Sequence, residues 1–214
     1  MPVHLPNFRL LRALSLAQSG FAILPLFEPT MMGCACRNPN CTHAGKHPRT
    51  SHGVHDATKE PEIIADWWER WPEANIGVAT GSSSGVFVLD VDGPVGRTTL
   101  ATLSGNSKPA PSAAKVHTGR GEHYYFRTNG QKVRNTPLGP GLDLRGDGGY
   151  VVGVGSRHAS GACYRHAHWG RIRPRLLPAD PPSWLHALID PAPTPPPLKP
   201  KLRCPGIWPT LKPP

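Results

Sequence analysis

The chain has 214 residues, enough for one sizeable α/β domain and a small appendage. Its formal net charge of +10 and pI of about 9.8 favour a polyanionic partner such as nucleic acid. Five cysteines, three of them within 34–41, argue against a disulfide framework and for a metal site in a reducing compartment. The apolar stretch before Phe27 is too short and broken to span a membrane, so we expect a cytoplasmic protein without membrane contact.

Two helices are predicted in the first third of the chain. Apolar residues spaced three and four apart predict one helix over about residues 8–19. Pro61, at a position typical of a first turn, opens the second helix, which ends before Pro72. Their apolar residues are Leu10, Leu11, Leu14 and Ala17 in the first helix and Ile63, Ile64, Trp67, Trp68 and Trp71 in the second. We therefore expect the three tryptophans to lie in a core rather than to stack on bases.

Most of the remaining sequence predicts short strands separated by glycine turns. Residues 114–118 and 122–127 are expected to pair around Gly119-Arg120-Gly121, and residues 142–145 and 150–154 around the next glycine-rich turn. Strands are also predicted over 21–26, 76–79 and 86–92. A short helix is predicted after residue 94 and a last helix over 184–189. Strands with helices between them imply one α/β domain over 1–190. The Pro-rich, basic segment 191–214 is expected to be a disordered, extended tail.

Two carboxylates end an apolar strand in Val86-Phe87-Val88-Leu89-Asp90-Val91-Asp92-Gly93. Because alternate residues of a strand face the same side, Asp90 and Asp92 are expected to point the same way, with Cα atoms about 6–7 Å apart. Like charges this close are tolerable if a cation lies between them, which favours a divalent-metal site. The alternatives are a plain turn and the opening of a haloacid-dehalogenase-like phosphatase, although the chain lacks the downstream Asp-Asp pair of the latter.

Two further segments carry candidate catalytic groups. His123 lies just inside a strand after a glycine turn, and Asp143 lies in a strand before another. Asp147, close to the second turn, is the rival for the role of third acid. Carboxylate oxygens suit Mg²⁺ or Mn²⁺. Two such ions, a histidine and nearby arginines are the groups that two-metal nucleotidyl transfer needs. The other histidines of this half, His117, His158, His166 and His168, are interpreted as surface or loop residues.

In order and spacing, these motifs resemble those of the bifunctional DNA primase/polymerase N-terminal domain (prim-pol) of the archaeo-eukaryotic primase superfamily. The family's hydrophobic-Asp-hydrophobic-Asp motif is matched by Leu89-Asp90-Val91-Asp92. Its strand with a single histidine is matched by Gly121-Glu122-His123-Tyr124-Tyr125-Phe126, and its later hydrophobic-Asp motif by Leu142-Asp143. The resemblance covers about residues 17–164.

The resemblance implies a catalytic domain with an RRM-like sheet packed on a second α/β unit. It implies a template-directed nucleotidyltransferase, a DNA primase/polymerase in the replication of a plasmid, phage or bacterial genome. The implied site residues are Asp90, Asp92 and Asp143 for Mg²⁺ or Mn²⁺, His123 for the phosphates of the incoming nucleotide, and Arg145, Lys46 and Arg120 as basic candidates. Implied partners are a DNA template or primer, NTP or dNTP, and a separately encoded replicative helicase.

The segment 33–56 contains a second, separate candidate metal site. Its pattern Cys34-x-Cys36-x4-Cys41-x5-His47 offers soft ligands at knuckle-like spacing, which favours a structural zinc ion. His43 competes with His47 for the fourth position. The same feature supports an alternative from another class, a catalytically inactive, zinc-bearing nucleic-acid-binding module.

Overall fold

Four helices and eleven strands form in the part of the chain that the computed structural model describes, residues 7–110, 114–167 and 176–189. The helices are α1 (Phe8–Gln18), α2 (Pro61–Arg70), α3 (Gly93–Ser104) and α4 (Ser183–Ile189). The strands are β1 (Ile23–Leu26), β2 (Pro29–Thr30), β3 (Gly33–Cys34), β4 (Asn75–Ala79), β5 (Val86–Val91), β6 (Lys115–His117), β7 (Glu122–Arg127), β8 (Thr136–Gly139), β9 (Leu142–Arg145), β10 (Tyr150–Val152) and β11 (Arg165–His166). The chain is thus a mixed α/β protein, as its sequence predicts, and the predicted tail lies outside the described residues.

The predicted position of α1 is confirmed, but its buried face differs from the predicted one. The Asn7 side chain accepts hydrogen bonds from the first-turn amides and caps the helix. The buried residues include Ala13 and Arg9, whereas Leu11 is half exposed. Arg9 is buried because its guanidinium bonds the carboxylate and carbonyl of Glu73, a partner distant in sequence.

The strands form two main sheets and one small hairpin. Six strands form the larger sheet in the order β11-β6-β7-β5-β9-β8, and three form the smaller sheet in the order β1-β4-β10. Every pair of neighbouring strands is antiparallel. The predicted pairing around Gly119-Arg120-Gly121 is confirmed as β6 with β7. The strand β5 therefore lies inside the larger sheet, with β7 on one side and β9 on the other.

The predicted pairing of residues 142–145 with 150–154 is wrong. β9 pairs with β5 and β8 in the larger sheet, whereas β10 pairs with β4 in the smaller one. The glycine-rich segment between them crosses from one sheet to the other. Thr80 holds this crossing in place, since its hydroxyl donates to the Gly146 carbonyl and its amide donates to the Gly149 carbonyl.

Two hydrophobic cores lie on opposite faces of β5. Val86 and Val88 belong to a core shared with the smaller sheet, α1 and α2, in which Trp67 and Trp68 are buried as predicted. The alternate residues of β5 belong to a second core that includes residues of α3 and α4. Asp90 follows the Val86 and Val88 positions at spacing two, so its carboxylate faces the side of the smaller sheet, at the end of the strand.

Across the described residues, no helix is both long and apolar enough to cross a membrane.

Candidate active site and Cys/His centre

Three of the predicted site residues lie in one row across three adjacent strands. In the register of the larger sheet, Asp90 is directly opposite His123 on β7 and directly opposite Asp143 on β9. Residues directly opposite each other in an antiparallel pair project from the same face. His123 Nε2 lies 3.4 Å from Asp90 Oδ1, so the imidazole and the carboxylate are in contact.

Arg145 joins the two acids of this row. Its guanidinium donates to Asp143 Oδ2 at 2.8 Å, and its Nε lies 3.8 Å from Asp90 Oδ2. Arg145 is two residues after Asp143 on β9, which places both side chains on the same face. One guanidinium therefore offsets the repulsion between two carboxylates that strand pairing holds together.

Asp92 lies just beyond the strand and not inside it, where the sequence predicts it. The predicted strand over 86–92 is thus one residue too long. β5 ends at Val91, and Asp92 is the N-cap residue of α3, followed by Gly93 with a φ of 61°. An N-cap aspartate usually accepts an amide hydrogen bond from the first turn, but Asp92 makes no such bond. Its carboxylate lines the same cavity as Asp90 and is exposed to it.

The surroundings of the row favour a charged Asp90. Burial acts to raise the pKa of Asp90, but the His123 contact and the positive charges of Arg145 and Lys46 outweigh it and hold the pKa below its ordinary value. Burial raises the pKa of the neighbouring Tyr125 phenol, with the Asp90 charge as a further cause. Asp90 is therefore ionised beside a neutral phenol. An ionised carboxylate is the form that a hard cation such as Mg²⁺ requires of its ligand.

A cavity of about 540 Å³, within the size range of small-molecule sites, opens in front of Asp90 and His123 of the row but is not lined by Asp143. Its lining includes the predicted site residues Lys46, Asp90, Asp92, Arg120, His123 and Arg145. Within the described part of the chain, Lys46 and Arg120 have no carboxylate at ion-pair distance. The lining thus combines carboxylates with these two cations, which suits a ligand that carries both phosphates and bound cations.

His158, predicted as a surface or loop residue, lies in the loop after β10 and lines the cavity. Its ring lies so close to the β6–β7 turn that a Cβ added at Gly119 would be 2.2 Å from it. The same prediction is wrong for His166, which is buried on β11, while His168 lies outside the described residues. No sequence signal indicates the placement of His158, because it depends on a loop after β10 returning to a turn about 40 residues earlier in the chain.

Asp147, the rival third acid, has a structural role instead. Its Oδ1 accepts the Ser82 amide at 2.8 Å and its Oδ2 accepts the Val133 amide at 3.0 Å. Burial acts to raise the pKa of Asp147, but these hydrogen bonds lower it overall. Both carboxylate oxygens are therefore engaged in holding turns together, and Asp143 is the acid that lies beside Asp90.

The Cys/His segment brings its four predicted ligands together. The ligand atoms of Cys34, Cys36, Cys41 and His47 all lie within 4.8 Å of one another. His47 Nε2 is 3.3 Å from Cys34 Sγ and 3.5 Å from Cys41 Sγ. Tetrahedral zinc with these donors places neighbouring ligand atoms about 3.5–3.8 Å apart. The group therefore fits zinc, with His47 rather than His43 as the fourth member.

The described residues contain no second group of three or more such ligands this compact. The carboxylates of Asp90, Asp92 and Asp143 are accordingly spread more widely than the Cys/His group. The two sites are nonetheless neighbours, because Lys46 and His47 line the cavity in front of the carboxylates. One wall of the cavity is thus made by the Cys/His segment.

Comparison with known proteins agrees with this geometry. A family model described as bifunctional DNA primase/polymerase, N-terminal, matches residues 13–184. The matched region runs from within α1 into α4 and includes the carboxylate row, the Cys/His group and every strand described above. A search of curated proteins finds no match. The family resemblance predicted from the sequence motifs is confirmed, and the chain belongs to the Prim-Pol family of bifunctional DNA primase/polymerase N-terminal domains.

Proposed function

We propose that this chain is a template-directed nucleotidyltransferase, a DNA primase/polymerase that extends strands by two-metal-ion phosphoryl transfer. The observation that carries this proposal is the row of His123, Asp90 and Asp143 across three paired strands. Family membership supports a primase/polymerase-type enzyme, and the cavity in front of the row is large enough for a small-molecule substrate.

The three acids are proposed to hold Mg²⁺ or Mn²⁺. Their donors are carboxylate oxygens, which these hard cations prefer, and Asp90 and Asp143 face each other from paired positions. When bound, two such cations activate the attacking 3′-hydroxyl and stabilise the charge on the transferring phosphate. Arg145 positions the Asp90 and Asp143 carboxylates, since it bonds one and lies close to the other.

The basic side of the cavity is proposed to bind the triphosphate of an NTP or dNTP. Lys46 and Arg120 lack carboxylate partners among the described residues, so their charges are available to phosphate. His123 is proposed to hold the phosphates from within the row, because its side chain lines the cavity and its Nε2 lies beside the Asp90 carboxylate.

The remaining proposals concern architecture and partners. The larger sheet is proposed to be the RRM-like catalytic sheet, with the smaller sheet, α1 and α2 as the second α/β unit of the domain over 1–190. Zinc in the Cys/His group is proposed to be structural. We also propose that the protein acts on a DNA template and primer in the replication of a plasmid, phage or bacterial genome. A separately encoded helicase is its proposed partner.

A second candidate function is a nucleic-acid-binding module without catalysis. The observation that favours it is the contrast in compactness, because the Cys/His ligands are already gathered whereas the three acids are not. The phosphatase alternative is not favoured, since the family match covers the whole carboxylate region.

Incorporation of labelled nucleotides on a single-stranded template, with and without primer and in Mg²⁺ or Mn²⁺, tests the proposal. Asp90→Ala is expected to reduce the rate about 1,000-fold, because the loss of a metal ligand removes about 4 kcal/mol of transition-state stabilisation. Each 1.4 kcal/mol changes the rate about tenfold. Asp66→Ala, an exposed acid on α2, is the matched control and is expected to retain full activity. Equal rates in both variants would overturn the catalytic assignment. DNA binding without metal-dependent incorporation by the wild type would establish the binding module instead.

A further inference from the structure

A second groove, of about 500 Å³, adjoins the cavity on the other side of the β6–β7 turn. The two share Thr118 and Arg120, so this turn is the ridge between them. The turn is well fixed. The Thr118 hydroxyl accepts the amides of Arg120 and Gly121, and a Cβ added at Gly121 would lie 1.8 Å from the Val91 carbonyl oxygen. The ridge therefore has a defined shape against which a ligand could lie.

The groove lies on the sheet face opposite to the carboxylate row. Arg165 on β11 is directly opposite His117 on β6, and His117 is directly opposite Glu122 on β7. Glu122 precedes His123, and successive strand residues face opposite sides of a sheet. A ligand that runs from the cavity into this groove must cross the end of the sheet at Arg120.

The charge of the groove is predominantly positive. Its lining includes three arginines, Arg97, Arg120 and Arg165, and one carboxylate, Glu122. Glu122 lies 3.4 Å from the Arg97 guanidinium and 3.6 Å from the Lys115 ammonium, so its charge is shared between two cations. Arg165 is exposed and, among the described residues, has no carboxylate at ion-pair distance. A net positive charge therefore faces solvent.

The chemistry of the groove favours phosphate rather than base recognition. Apart from the His117 imidazole, its lining carries no aromatic ring on which a base could stack. Burial, with the charges of Lys115 and Arg165, lowers the pKa of His117, so this imidazole is neutral at pH 7 and serves as a hydrogen-bond partner. Arginines spaced along a groove match the repeated phosphates of a polynucleotide.

We infer that this groove binds the sugar–phosphate backbone of the nucleic-acid strand that enters or leaves the active-site cavity over Arg120. The inference rests on the proposed function, because it takes the cavity to be the site of strand extension. Recognition is independent of base sequence and depends on salt, since it is made by cations and phosphates. Arg97 and Arg165 are its main contacts, and Glu122 limits its affinity.

Fluorescence anisotropy of a labelled oligo(dT) of about 20 nucleotides, titrated with the full chain at several salt concentrations, tests the groove. The double variant Arg97→Gln/Arg165→Gln is expected to bind about tenfold more weakly at low salt. Its slope of log affinity against log salt is expected to fall by about 1.4, or about 0.7 for each lost phosphate contact.

Arg70→Gln/Arg127→Gln is the matched control, because it removes two exposed arginines from elsewhere on the chain. It is expected to bind like the wild type. Glu122→Gln is expected to bind more tightly, a change that a misfolded protein would not show. Equal weakening in both double variants, or unchanged binding in the groove variant, would overturn the inference.

Cys163 lines the same groove and is exposed, so cross-linking to its thiol shows whether a nucleic-acid strand lies in the groove. An oligo(dT) with an activated disulfide on its backbone is expected to cross-link more to the wild type than to Cys163→Ser, which keeps the other four cysteines. Wild-type cross-linking no higher than in Cys163→Ser would overturn the inference. The Asp90→Ala incorporation assay keeps the two proposals apart. Undiminished incorporation by Asp90→Ala defeats the proposed function, whereas the anisotropy and cross-linking results decide the groove.

Discussion

The carboxylate row and the Cys/His centre border one cavity but are held in place by different means. Asp90 and His123 belong to strands that pair over six residues each, with hydrophobic cores on both faces of the sheet. The Cys/His segment, residues 33–56, contains the two-residue strand β3, which pairs with β2 just before the segment, a series of turns and the short 3-10 helix Gly53–Asp56. The row is thus fixed by paired strands, whereas the centre is held by its own ligands and by single contacts from the rest of the chain, such as the Asn75 side-chain amide to the Gly45 carbonyl and the Tyr150 hydroxyl to the Lys46 carbonyl.

The difference suggests how the two sites depend on metal. Strand register persists without a cation, so the row should keep its geometry when Mg²⁺ or Mn²⁺ is removed. The Cys/His segment is held at its ends, where the Phe27 amide donates to the His47 carbonyl and the Arg49 amide donates to the Pro25 carbonyl. Between these bonds the segment is expected to depend on zinc, because metal binding supplies folding free energy where a preformed core is lacking.

The largest expected effect separates catalysis from stability in the row. Asp143→Asn is expected to reduce nucleotide incorporation about 1,000-fold, or about 4 kcal/mol, while leaving the free energy of unfolding nearly unchanged. The reason is that its carboxylate is part exposed and faces a like charge across the strand pair. Steady-state incorporation measures the expected loss of activity, and urea unfolding measures the free energy of unfolding. A variant that unfolds readily yet keeps its activity would contradict this assignment.

The next effect concerns the Cys/His centre. His47→Ala is expected to lose bound zinc and to lower the free energy of unfolding on the order of 3 kcal/mol, because the metal cross-links three cysteines and a histidine in a segment made mostly of turns. His43→Ala is the matched control, four residues away, and is expected to keep one zinc ion per chain. Elemental analysis and hydrogen exchange over residues 33–49 measure the two outcomes. Zinc loss in the His43 variant alone would show that the wrong histidine is assigned.

Much of the site could be predicted from local sequence. The alternation of β5 places Asp90 on the same face as Val86 and Val88, at the end of the strand, and the glycine turn at 119–121 places His123 on the paired strand. These features depend on contacts within about 40 residues. For the same reason, the Cys/His spacing indicated four residues that lie together in the structure, although it did not decide between His43 and His47.

The features that the sequence did not predict depend on contacts that are distant in sequence. The turn before β10 has the composition of a hairpin turn, but β10 pairs instead with β4, about 70 residues earlier. Arg9 is buried because Glu73 lies beside it, and His158 lines the cavity because its loop packs on Gly119. Tertiary pairing of this kind overrides local patterns, which is why turn chemistry alone predicted the wrong partner strand.

The smallest expected effect returns to the segment that links the two sheets. Asp147→Asn is expected to lower the free energy of unfolding by about 1–2 kcal/mol, since charge-assisted hydrogen bonds to the Ser82 and Val133 amides become weaker. Incorporation by the folded protein is expected to remain near the wild-type level. A strong loss of activity with unchanged stability would assign Asp147 to the metal site in place of Asp143.

The pH dependence of the same variant sharpens this contrast. Although burial opposes it, hydrogen bonding lowers the pKa of Asp147 in the folded state below its unfolded value of about 3.9. The stabilisation by this carboxylate is therefore complete above about pH 4–5 and is lost as the pH falls through the folded pKa. The difference in unfolding free energy between the wild type and Asp147→Asn should shrink steadily from pH 5 toward pH 2. A difference that stays constant over this range would mean that the asparagine perturbs packing rather than the charged hydrogen bonds that hold the crossing between the sheets.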